Sequence, residues 1–190
     1  LAPLFFVAPS QINYQIPAGT VDGTAWVNVK INGNIVGAGV INIAKVVPGL
    51  ISANANGQGV AAAIALRVTG SGALSYESVA SFDSAQNKFV PIPIDLGPSS
   101  DQVFVILFGV GFRYAQNTDG NPDNGSAENV MITLGGVNVP ALYSGPAPGF
   151  VGLDQCNIGP IPRSLIGRGL IDLVMKVEGK TANTIQLSIK

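Results

Sequence analysis

The oxygen-bearing side chains best spaced for chemistry lie between Asn117 and Glu128. The stretch Asn117-Thr-Asp-Gly-Asn-Pro-Asp-Asn-Gly-Ser-Ala-Glu128 sets Asn117, Asp119, Asn121 and Asp123 at alternate positions, with Glu128 beyond them. Calcium, a hard cation, favours such clusters of carboxylate and amide oxygens. The spacing departs from an EF-hand loop, because Pro122 or Asn124 stands where that loop requires glycine. Asx-rich segments also form solvated turns with no metal, and the solvated turn is the simpler account. Asn124-Gly-Ser126 is an N-x-Ser/Thr sequon, which makes Asn124 a candidate glycosylation site.

Elsewhere the chemistry thins out. Asp154 with Glu178, or Asp83 with Glu77, would supply the two carboxylates of glycoside hydrolysis. Nothing in the sequence sets their separation, and ordinary solvated carboxylates account for them better. The chain has no histidine, which removes the commonest general base and transition-metal ligand together and excludes a Ser-His-Asp triad. Gly109-Val-Gly111 is not followed by a helix, so it is no phosphate loop. No catalytic residue is assigned. The chain reads as a non-enzyme with no required cofactor, calcium being the one candidate. Trp26 falls on the polar face of its strand, where it would stack on a sugar ring or anchor an interface. The plainer expectation is that a neighbouring loop or domain covers it.

Composition narrows the class. Of 190 residues 47% are hydrophobic and only 11% charged, against roughly 25% in soluble domains. A net charge of −1 gives no footprint for nucleic acid. The longest apolar run, Val103 to Phe112, is short of the about 20 residues that a membrane helix needs. So few charges are unusual for a free cytosolic protein. They suit an extracellular or cell-surface protein that packs against its own kind. The single cysteine, Cys156, has no intrachain disulfide partner. The chain opens at Leu1 without Met, which fits a processed or excerpted segment.

The elements that would hold these residues are strands. Gly at 24 and Pro at 13 punctuate short runs of Val, Ile, Ala and Thr. From Thr24 to Ile31 the alternation puts Ala25, Val27, Val29 and Ile31 inward, with Trp26, Asn28 and Lys30 outward. Asn32-Gly33 predicts a type I′ hairpin. Val60 to Thr69 is alanine-rich, but its glycine flanks and missing cap favour a strand over a helix. Ser71 to Asn87 reads as a hairpin tip and Lys88 to Ile94 as an edge strand. Gly97-Pro-Ser-Ser-Asp101 is the best linker. Together these predict an all-β chain of two sandwiches, over residues 1–100 and 101–190.

One stretch occurs twice. Gln11 and Asn13 recur 144 residues later as Gln155 and Asn157, and Gly33 recurs 146 residues later as Gly179. Self-similarity of this kind marks two copies of one supersecondary unit.

Several segments then carry a wider likeness: Leu4 to Thr20, Gly57-Gln-Gly-Val-Ala-Ala62, Gly149-Phe-Val-Gly-Leu-Asp-Gln155 and Gly179-Lys-Thr-Ala-Asn-Thr184. Over nearly its whole length the chain resembles an uncharacterised family of C-terminal modules of secreted and cell-surface bacterial proteins, abundant in acidobacteria. The resemblance implies tandem immunoglobulin-like domains of the IPT/TIG kind and no enzyme activity. The chain departs from the family pattern in a longer loop at Tyr114 to Asn129. It departs also at Cys156, where a β-branched apolar residue is usual, so this cysteine is expected in a strand as a small hydrophobe.

The copies differ in what precedes them. Ahead of the second stand the strands between Val103 and Val139; ahead of the first nothing stands. Residues 60–94, upstream sequence or another subunit would have to fill that place. An unfilled place leaves an open strand edge for donor-strand addition, and head-to-tail addition builds an open filament. The expectation is an extracellular structural protein, a self-assembling subunit of a cell-surface filament or stalk. Leu4, Phe5, Phe6 and Trp26 are its candidate interface. A carbohydrate-binding module, with polysaccharide as partner and Trp26 as stacking platform, is the first alternative. A calcium-dependent adhesion domain is the second.

Overall fold

A computed structural model of the chain describes residues 1–115 and 129–190. Among the described residues it is all-β, its helical content limited to one 3-10 turn at Arg163–Leu165. The chain forms two compact units, residues 1–45 and 46–190.

Unit 1 consists of two hairpins. Strands β1 (Leu4–Ala8) and β2 (Gln11–Tyr14) pair antiparallel, and so do β3 (Gly23–Ile31) and β4 (Asn34–Ile43). The predicted turn is present at Asn32 and Gly33, both with positive φ, 49° and 83°. Neither hairpin adds a third strand within unit 1, and no side chain of this unit is fully buried.

Unit 2 holds β5 (Gly49–Leu50), β6 (Ala63–Val68), β7 (Leu74–Ser78), β8 (Ala80–Asp83), β9 (Lys88–Pro91), β10 (Gln102–Val110), β11 (Val130–Leu134), β12 (Val137–Val139), β13 (Ala141–Pro146), β14 (Asp154–Ile158), β15 (Gly169–Val177), β16 (Lys180–Thr181) and β17 (Ile185–Ile189). One sheet runs β13-β14-β10-β6-β7, with β5 also on β10. The other runs β12-β11-β15, with β16 and β17 on the far side of β15. Alternate residues of β10 (Val103, Val105, Leu107) and β14 (Cys156, Ile158) join Ile132, Leu134, Leu173, Met175 and Val177 of the other sheet in one buried core. This is the period-2 signature of two sheets packed face to face.

The repeat seen in the sequence is a repeat of strand register. In unit 1 the pairs are Leu4↔Tyr14, then a bulge, then Phe6↔Asn13, Val7↔Ile12 and Ala8↔Gln11. In unit 2 they are Ala141↔Ile158, a bulge, then Tyr143↔Asn157, Ser144↔Cys156 and Gly145↔Gln155. The bulge falls at the same place. The amide of Gln11 donates to Asn13 Oδ1 at 2.7 Å, as Gln155 does to Asn157 at 2.9 Å. In the second hairpin Gly23↔Ile43, Trp26↔Val40 and Val27↔Gly39 correspond to Gly169↔Ile189, Asp172↔Gln186 and Leu173↔Ile185. Glu178 and Gly179 repeat the positive-φ pair of Asn32 and Gly33.

Four expectations change. The division expected at residues 100 and 101 falls inside unit 2, where β6 and β10 pair from Gln102↔Val68 to Leu107↔Ala63. The segment 97–101, expected as a linker, is a pinned turn. Arg163 donates to the carbonyls of Leu96, Gly97 and Pro98, and Asp101 accepts from Arg67 and from the Gly70 N–H. Residues 60–94 belong to unit 2. The stretch 71–87, expected as a hairpin tip, holds β7 and β8, the latter paired with β9.

Two of the distinctive sequence segments meet in unit 2. The Asn183 amide donates to the carbonyls of Leu50 and Gly57, and its oxygen accepts the Leu50 N–H at 2.8 Å. Three residues on, Gln186 donates its N–H to Gly59 O and accepts from Ala61 N. A side-chain amide thus supplies the pairing that short β5 cannot complete along its length. Replacing Asn183 with Ala strands one N–H and two carbonyls, a loss of about 2 kcal/mol, which urea unfolding would register as a lower midpoint.

Candidate functional site

The chemistry-bearing residues disperse. Asn117, Asp119, Asn121, Asp123 and Glu128, and the sequon residue Asn124, lie outside the described residues. Among the described residues no three His, Cys, Asp or Glu side chains gather as a cation site.

The four carboxylates considered as catalytic pairs sit in structural positions. Asp154 is 1% exposed. Its Oδ2 accepts the N–H groups of Phe112 and Arg113, at 2.8 and 3.2 Å, and its Oδ1 accepts Arg113 Nε at 2.6 Å. The clamp ties the segment leaving β10 to the start of β14. Glu77 accepts Arg67 Nε at 2.7 Å, and Arg67 also faces Asp101 at 3.5 Å. Hydrogen bonding from the guanidinium holds the Glu77 carboxyl below the usual carboxylate range, against the opposing effect of burial. Asp83 caps the β8–β9 turn through the N–H groups of Ala85 and Gln86. Hydrogen bonds from Gln86, side chain first, lower its pKa. Glu178 occupies the turn after β15 at φ 50°.

Cys156 lies in β14 with no exposed surface, as expected of a small hydrophobe in a strand. Burial pushes its thiol up to about 12, so almost no thiolate forms at neutral pH. An open groove runs past Asn54, Gln58, Lys88, Phe89, Asp172 and Gln186. Two of its amides are already engaged: Asn54 exchanges two hydrogen bonds with the Phe89 backbone, and Gln186 donates to Asp172.

What remains is an edge and a face, and sequence reading had marked part of it. Trp26 stands 73% exposed on the outer face of β3, so no described loop of unit 1 supplies the expected cover. Leu4, Phe5 and Phe6 of β1 are exposed at 61, 53 and 49%. The inward set is more telling. Val7, Ile12, Tyr14 and Ile31 are exposed, whereas their register equivalents Ser144, Cys156, Ile158 and Val177 are buried. Those equivalents are covered because β10 pairs the second edge of β14, and β11 the second edge of β15. The matching edges of β2 and β3 have no strand in unit 1. Sequence reading named Leu4, Phe5, Phe6 and Trp26 as the interface; it placed Ile31 inward but counted none of Ile12, Tyr14 and Ile31 among the interface residues. The alignment with Cys156, Ile158 and Val177 was the signal that finds them.

The Arg67 cluster carries a pH test. Glu77 has a lowered folded-state pKa, so its contribution is present above the ordinary carboxylate value and fades as pH falls through the lower folded value. Glu77 is partly solvated, which keeps the effect within about 1 kcal/mol. Acid unfolding followed between pH 5 and 2 should show a shallower stability loss for Glu77→Gln than for the parent chain.

No family model matches the chain, and neither a curated protein nor a solved structure matches it.

Proposed function

We propose that the chain is a non-enzymatic structural module of the extracellular surface, joined to other copies by β-strand addition at unit 1. The observation that supports this is the contrast between equivalent positions. The same motif, in the same register, is buried between partner strands in unit 2 and open in unit 1. An open edge is a row of unpaired N–H and C=O groups. Beside it lies apolar surface that each covered side chain would remove from water for about 1.5–3 kcal/mol. A unit of 45 residues, too small for a substantial core of its own, gains most from such cover. On this reading unit 2 is a complete immunoglobulin-like sandwich and unit 1 an incomplete one. The assembly is a cell-surface filament or stalk.

Light scattering across a concentration series tests the reading. Mass should rise with concentration for the parent chain. Val29→Lys, which sets a charge on the inward face of β3, should weaken association about 100-fold or more and leave the unit 2 melt unchanged. A sharply monomeric parent chain at high concentration overturns the proposal.

Trp26 supports a second reading, a carbohydrate-binding module, because its indole is 73% exposed on a polar strand face. On that reading a monomeric chain is retarded in polysaccharide-containing gels, and Trp26→Ala abolishes the retardation.

A further inference from the structure

Unit 2 is built from two halves of one design. In the first half β6 lies outside and β10 inside one sheet; the chain then crosses to the other sheet, where β11 lies inside and β12 outside. The second half repeats the order with β13 outside, β14 inside, β15 inside and β17 outside. The halves join along two seams, β10 with β14 and β11 with β15, each of five antiparallel pairs. Two equivalent halves meeting along antiparallel seams have the connectivity of a two-fold arrangement. Unit 1 is a third half of this design: β1 outside, β2 inside, β3 inside, β4 outside.

The complement of this design in unit 2 is therefore the design itself. In a second copy of the chain, two of the three halves are already consumed by each other. Among the described residues the one half left with both inner edges open is unit 1. Its inward residues Ile12, Tyr14, Ala25, Val27, Val29 and Ile31 carry no charge, so two such faces meet without repulsion. β2 offers four residues to its seam and β3 nine, which compares with the five pairs of each seam in unit 2.

The geometry points to unit 1 of a second copy as the partner of unit 1. Two half-sandwiches close into one through β2 against β2 and β3 against β3, about a single two-fold axis. The inference rests on the strand-addition reading above and sets the symmetry of the join, an isologous contact that closes. A filament or stalk then needs a separate contact elsewhere on the chain.

The two-fold axis makes a sharp demand. Both copies must turn their apolar faces toward the same core, so the axis runs perpendicular to each sheet. Directly opposite residues in an antiparallel pair share a face, and the rotation carries each residue to its own counterpart on that face. Hence one residue of β2, and one of β3, lies opposite itself. Opposed Cα atoms at about 4.5–5.5 Å fall within disulfide reach.

The test is a scan of single cysteines through Gln11, Ile12, Asn13 and Tyr14 and through β3, from Thr24→Cys to Lys30→Cys, under mild oxidation. Cys156 stays in place because it is fully buried. The expected result is a covalent dimer at one position in each strand, lost at positions two residues away. Variants are scored only where the unit 2 melt is retained. Association without a covalent dimer at any position overturns the two-fold join and leaves head-to-tail strand addition standing. A chain that stays monomeric overturns both.

Discussion

Backbone hydrogen bonding across two seams governs this molecule. A strand whose side chains enter a core cannot leave its N–H and C=O groups without partners, because burial removes the water that would otherwise satisfy them. In unit 2 the seams β10–β14 and β11–β15 meet that demand, and the whole core collects around them. Leu107, Cys156, Met175 and Val177 have no exposed surface because each lies on a strand paired on both sides. Unit 1 repeats the strands, the turns and the bulge without the seams, and its side chains stay at the surface.

Much of this architecture was legible. Alternation located β3 and its inward face, Asn32-Gly33 located its turn, and glycine flanks decided β6 against a helix despite its alanines. These are local properties, decided by sterics and by the two-residue period of a strand. The repeat was legible too, as the recurrence of Gln11 and Asn13 at Gln155 and Asn157. Long-range pairing was not. Ile12 and Cys156 occupy the same pattern, yet one is exposed and the other wholly buried, and what separates them is long-range: the pairing of β10 and the core shared with the other sheet.

The misplaced division has a related cause. Gly97-Pro-Ser-Ser-Asp101 has the composition of a linker and of a tight turn alike. What makes it a turn is Arg163, 66 residues beyond Gly97, together with the bonds to Asp101. The carboxylates misled in the same way, since Asp154 and Glu77 are acids whose partners, Arg113 and Arg67, lie on other segments. A composition so poor in charge makes each such pair stand out. Those pairs fasten strand ends and turns.

The Asp154 clamp has a consequence for how the two copies of the motif would respond to their surroundings. It bridges the segment leaving β10 to β14, so one seam of unit 2 is locked by a charged group at its end. The equivalent position in unit 1 is Ser10, which carries no charge. A joint formed along β2 has no such ionic lock. On the proposed strand-addition reading it would be held by main-chain bonds and apolar contact alone, and it would open and close with temperature and dilution. The two copies of the motif thus differ at this end by one residue, Asp154 in unit 2 and Ser10 in unit 1, and on the proposed reading that difference would set a permanent seam apart from an exchangeable one.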